Sequence, residues 1–189
     1  MANTGWLSDD EQRAWRAYRR MVLLVDAQVA RELTRDSGLS MPDYQVLSTL
    51  SEAADHRQRL SELAFSMQWS ASRLSHHVSR MEKRGLLTRA DCDSDARGAF
   101  VVLTEHGFDA IKSAAPDHVT SVRLHLINRL TPEQLDALTE IGENAVAHFA
   151  ESCPDVQPAQ PVEPAQRVET PQPGQSANRS PDSRSYAST

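Results

Sequence analysis

The sequence predicts a mainly α-helical fold of about six helices with one small β-hairpin near its middle. Three observations predict it. Apolar residues recur at three- and four-residue steps through most of the first 153 positions, the period of helices with one buried face. Helix start and stop residues stand at the ends of those runs. Between Leu86 and Leu103 the pattern changes to two short β-prone runs around a polar stretch.

In order, Trp15, Tyr18, Val22, Val25, Val29 and Leu33 put one apolar stripe on a long first helix, which Gly38 ends. Ser40 caps a second helix that turns Tyr44, Leu47 and Leu50 inward and tolerates Pro42 in its first turn. A short third helix begins after Ser61, turns Leu63, Ala64 and Met67 inward and gives out near Gln68. Ser70 caps a fourth, with Leu74, Val78 and Met81 inside and Gly85 as its stop. Leu86–Arg89 and Phe100–Leu103 are the strands, and the polar stretch 91–98 is the loop between them. After Thr104 helix returns, with Phe108, Ile111, Ala115, Val119, Val122, Leu126 and Leu130 in one register across a bend at Pro116. Thr131, Pro132 and Gln134 then supply a cap, a first-turn proline and a capping box for a last helix, which turns Leu135, Leu138, Ile141, Ala145 and Phe149 inward as far as about Glu151.

A length of 189 residues suits one compact unit with an appendage. The appendage is residues 154–189, where seven of the ten prolines occur without any Leu, Ile, Met, Phe or Trp; a disordered tail is expected. The net charge of -6 argues at first against a nucleic-acid partner. From Arg57 to Arg89, however, seven Lys and Arg stand against two acids, a local balance of +5. Cys92 and Cys153 form no CxxC pair, the first eleven residues are polar and acidic, and no apolar run has membrane-spanning length, so a cytoplasmic protein is expected.

Two short helices joined at Gln68-Trp69, then a helix and a two-stranded hairpin, make a winged helix-turn-helix. In that design the second helix of the motif enters the major groove of double-stranded DNA. Helix 71–84 suits the task, because its outer face carries hydroxyl, imidazole and cationic groups and no large apolar residue. Arg73, Ser75 and His76, in its first two turns, are the candidates for base edges. Ser61, Ser70 and Ser72 near helix starts, with Arg80, Lys83 and Arg84, are the candidates for phosphates. In the hairpin loop Arg97 can enter a minor groove, with Asp95 holding its side chain.

Other chemistries find little support. Asp91, Asp93 and Asp95 imitate the start of a calcium loop, but Ala96 and Val102 stand where its glycine and glutamate belong. His76 and His77 point about 100° apart on a helix, which disfavours a shared metal. No Gly-rich phosphate loop, GxSxG or HExxH occurs, so neither an enzyme nor a cofactor is expected. Two alternatives remain open: a protein-interaction module on the same scaffold, and an oxidant-sensing regulator acting through Cys92.

The segments Leu60-Ser-Glu-Leu-Ala64, Ser70-Ala-Ser-Arg-Leu-Ser75, Met81-Glu-Lys-Arg-Gly-Leu86, Asp95-Ala-Arg97 and Val102-Leu-Thr104 with Gly107, in this order, resemble the MarR (multiple-antibiotic-resistance regulator) family. The resemblance runs from about Trp15 to Phe149. It implies a homodimer built from residues 1–36 and 104–151, a DNA-binding part over residues 40–103, and a roughly palindromic operator, with repression the usual sign. Asp95 and Arg97 match the family's wing pair. His76-His77 departs from the Arg or Thr and apolar residue of many relatives. The resemblance also implies a cleft for a small phenolic or aromatic effector, for which Trp15, Tyr18 and Tyr44 are candidates, core or dimer contact being the other reading.

Overall fold

The cap signals set the helix boundaries in a computed structural model, which describes residues 5–91 and 99–152. Ser8 and Glu11 form a capping box at α1 (Asp9–Ser37), and Gly38 ends it in a left-handed backbone, φ 70°. Ser40 and Asp43 form the same box at α2 (Met41–Glu52), with Pro42 in the first turn. α3 (Leu60–Ser66) starts earlier than expected, so Ser61 lies inside its first turn. Ser70 caps α4 (Ala71–Lys83). Thr104 caps α5 (Glu105–His125), and Thr131 and Gln134 bond reciprocally at the start of α6 (Pro132–Ser152).

The sheet is larger than the expected hairpin. β2 (Leu87–Asp91) and β3 (Ala99–Leu103) pair antiparallel, but β1 (Arg57–Arg59) adds to the free side of β3, giving the order β1-β3-β2. Three residues of Arg-Gln-Arg show neither alternation nor β propensity, so only the partner strand reveals them. α5 continues through Pro116 as one helix but ends at His125, and a 3₁₀ turn over Ile127–Arg129 interrupts the register expected to reach Leu130.

The core lies where α2, α3 and α4 meet the inner face of the sheet. Leu47, Leu50, Leu63, Leu74, Val78, Met81 and Val101 are fully buried there, each contributing about 1.5–3 kcal/mol by leaving water. Ile111 and Ala114 of α5 close it. The approach of α5 is tight: a Cβ on Gly107 would stand 2.1 Å from the Leu86 carbonyl oxygen. Thr104 seals the same point, its hydroxyl shared between the carbonyls of Gly85 (2.7 Å) and Leu86 (2.9 Å). Further along, Glu32 of α1 accepts from Ser121 and lies 2.9 Å from His125 Nε2, both on α5. Hydrogen bonds from Ser121, Gln28 and His125 hold its carboxyl at about 2.

Two expected inward stripes lack cover within the subunit. Trp15 and Tyr18 are 50% and 52% exposed, because the first half of α1 runs past the core that Val29 and Leu33 enter. On α6, Leu135, Ile141 and Phe149 are exposed as well. Among the described residues, no helix is long and apolar enough to cross a membrane.

Candidate nucleic-acid interface

The helix-turn-helix consists of α3, a turn and α4. The turn is closed by the Trp69 amide on the Ala64 carbonyl (2.8 Å), and Gln68 takes the left-handed backbone it requires, φ 54°. A rotation of 100° per residue along α4 sets Leu74, His77, Val78 and Met81 on the buried side. Opposite them stand Ser72, His76, Ser79 and Lys83, with Arg80 beside the row. Ser72, His76, Arg80 and Lys83 are exposed, and this row forms the crest of the helix.

Buried polar contacts fix how the crest is presented. Asp43 of α2, only 4% exposed, receives Arg84 Nη1 at 2.7 Å on one oxygen, with His77 Nε2 3.1 Å from the other. Burial alone would raise the Asp43 carboxyl, but hydrogen bonds from Arg84 and Ser40 outweigh it and the pKa is lowered. Burial lowers the His77 imidazole, Arg80 reinforces this and Asp43 opposes it. The ring is therefore neutral and its contact with Asp43 is dipolar, off the line of an ideal hydrogen bond. Its Nδ1 accepts from Arg80 Nη2 at 2.9 Å. On the other flank Arg89 of β2 donates to the Ser75 carbonyl and the Ser79 hydroxyl, both at 3.0 Å, and lies 3.5 Å from Glu82, which ties the wing to α4.

These contacts sort the expected site residues. Ser72, His76 and Lys83 stand on the crest. Ser75 is half-buried against Arg89, away from where a base reader would stand. Arg80 stands at the crest's edge, bonded to His77. Arg84, expected at phosphate, is engaged with Asp43 instead. Arg73, expected at base edges, lies on the flank with its guanidinium 4.0 Å from the Trp69 ring centre. Ser61 is exposed, and the Ser70 hydroxyl caps α4 by accepting from the Arg73 amide. Asp95, Arg97 and Cys92 lie outside the described residues, as do Cys153 and the tail.

On its flank Arg73 borders a cleft of about 1250 Å³ between α1, the start of α2, the turn and α5. Arg16, Arg19, Arg20, Trp15, Trp69 and His118 line it, with Asp26 as the acid. Of the three aromatic candidates only Trp15 does so. Tyr18 stacks on Trp15 at 5.8 Å, and Tyr44 packs on His118 at 4.2 Å, behind the lining. The residues that sequence reasoning missed are Asp43, His77, Arg89 and the cleft arginines. His77 carries a signal, its place three residues after Leu74 on the apolar face; Arg89 shares the Leu87 face of its strand.

The MarR family model matches residues 39–98. AbsC, a MarR family transcriptional regulator from Streptomyces coelicolor, is 42% identical with a TM-score of 0.73, and the match covers 78% of this chain and 99% of AbsC. Sco3205, a MarR family regulator from the same organism solved in complex with DNA, is also 42% identical, with a TM-score of 0.72 over 76% of this chain and 90% of its own. The transcriptional regulator PecS of Dickeya dadantii is 27% identical over 105 residues, which span 55% of this chain and 63% of PecS. With the winged helix-turn-helix in place and a relative matched over nearly its whole length, the chain belongs to the MarR family of DNA-binding transcriptional regulators, which are not enzymes.

Proposed function

We propose that this chain is a sequence-specific repressor that binds a palindromic operator as a homodimer and is released by a small aromatic ligand. The observation that carries it is the exposed crest of Ser72, His76, Arg80 and Lys83, fixed in orientation by Asp43 and Arg89. Base reading falls to His76 and Ser72, while Lys83, Arg80 and Ser61 hold phosphates. Arg97 enters the minor groove beside Asp95. The uncovered stripes of α1 and α6 supply the dimer contact, since exposed apolar rows of this length are otherwise costly. The cleft, with its arginines and indole rings, suits an anionic aromatic effector. Residues 154–189 are an appendage that neither DNA binding nor pairing needs.

Selection from a pool of random duplexes tests the reading. It should enrich two inverted half-sites about 10 bp apart, one helical turn. His76→Ala should relax one position in each half-site. A pool that emerges without a motif would remove sequence specificity.

A further inference from the structure

We infer that Trp69 and Arg73 link the cleft to the DNA-binding helix: an anion held in the cleft draws the Arg73 guanidinium off the Trp69 ring and so shifts α4. The inference rests on the effector reading above and supplies the step by which an occupant acts. The cleft is walled by α1, the start of α2, the turn and α5, and among the described residues Arg73 is the one α4 side chain that lines it. Direct contact between an occupant and the helix-turn-helix therefore runs through Arg73 and Trp69. The lining calls for an anion. At 100° per residue Arg16, Arg19 and Arg20 fall on one side of α1, and Arg73 adds a fourth cation against Asp26. His118, which also lines the cleft, has a buried Nδ1 with no hydrogen-bond partner among the described residues. A carboxylate relieves the repulsion among the guanidinium groups, and an aromatic ring attached to it takes the place on the indole that Arg73 gives up.

Trp69 is placed to pass the change on. Its half-buried ring has the Arg73 guanidinium carbon 4.0 Å from its centre, and the His77 ring meets it edge to face at 5.4 Å and 88°. Arg73 and His77 stand one helical turn apart, so the indole bears on α4 at two levels. It thereby sets the roll of the helix against the turn that the Trp69 amide closes on Ala64. His77 in its turn accepts from Arg80 at the edge of the crest and faces Asp43, the anchor of Arg84. With Arg73 gone from the ring the indole is held on fewer sides, and His77 carries its movement to Arg80 and to the Asp43 anchor. The competing explanation is a surface stack that only stabilises the turn. It predicts a lower melting temperature on substitution and no change in the response to a ligand.

The test uses 2-naphthoate as the anionic probe and 2-naphthamide as its neutral counterpart, with the full-length protein and a labelled duplex carrying the selected half-sites. Calorimetry reads binding of the probe, and the ratio of DNA affinities without and with saturating probe reads the coupling. Wild-type protein should bind naphthoate with a ratio of about 5–150, and naphthamide should leave DNA affinity within about twofold. Arg73→Gln and Trp69→Leu should still bind naphthoate through the α1 arginines, with the ratio reduced to about twofold or less. Trp69→Leu keeps all four arginines and decides the matter if Arg73→Gln no longer binds; if circular dichroism shows Trp69→Leu misfolded, Arg73→Gln decides it. A folded variant that binds naphthoate and keeps the wild-type ratio overturns the link, as does equal release by naphthamide or binding to wild-type protein without release. Wild-type protein that binds no naphthoate would instead sink the effector reading itself.

Discussion

Replacing Gly107 by alanine tests the close approach that joins the DNA-binding unit to α5. Gly107 has an ordinary helical backbone, so glycine is there for space and not for freedom of φ. The new Cβ would stand 2.1 Å from the Leu86 carbonyl oxygen, 2.8 Å from Leu103 Cδ1 and 3.0 Å from the Leu86 carbonyl carbon. Relief requires the backbones to separate by about 1 Å or more. That motion breaks the bonds to the Leu86 carbonyl from the Thr104 amide (3.2 Å) and hydroxyl (2.9 Å). Overpacking costs about 1–3 kcal/mol and each lost bond about 1, against about 1 regained from the better helix propensity of alanine. The net loss should be about 2–4 kcal/mol, read as a lower urea midpoint at unchanged m and fixed protomer concentration. The contact lies past the C-terminal end of α4, three residues beyond Lys83 and further still from Ser72 and His76, so DNA affinity of the folded variant should stay within about twofold. Unchanged or increased stability would refute the reasoning.

Asp43→Ala should destabilise by about 2–4 kcal/mol in the same assay, because it strands the Ser40 amide and Arg84 and removes the carboxylate that faces the His77 ring; the exposure of Arg84 keeps the loss below that of a wholly buried pair. His77 and His118 both have lowered pKa values, with burial the leading cause. Below pH ~6.5 the unfolded chain therefore binds protons that the folded chain refuses. Stability should fall as pH drops through that window towards the depressed values, and His77→Gln/His118→Gln should flatten the fall in thermal melts. Gln68→Gly should raise the melting temperature by the equivalent of up to about 1 kcal/mol, since glycine adopts φ 54° without strain; a lower melting temperature would show that the Gln68 side-chain bond to the Phe65 carbonyl, 2.9 Å, matters more.

What was legible in the sequence was local chemistry. Ser40, Ser70 and Thr131 announce helices because a hydroxyl meets an amide only three residues away, and the apolar period names the core residues Leu74, Val78 and Met81. The site itself depends on longer reach. Asp43 and Arg84 are 41 positions apart, and nothing near either in sequence distinguishes a buried anchor from a surface charge. Arg73 looks like a base reader by its place in the first turn, yet its angle on the helix and the Trp69 ring draw it to the flank. Arg16, Arg19 and Arg20 read as a solvated face until α5 and the turn place a cleft beside them.

The joint between α1 and α2 is three residues long, Gly38 to Ser40, and one side chain measures it. Arg84, leaving the end of α4, touches the Gly38 carbonyl at 3.4 Å and the Asp43 carboxylate at 2.7 Å, so it spans the joint like a caliper. An added residue there would carry the two jaws apart by up to about 3 Å and disengage one of them. Insertions are thus barred from this connection, unless position 43 or 84 changes at the same time.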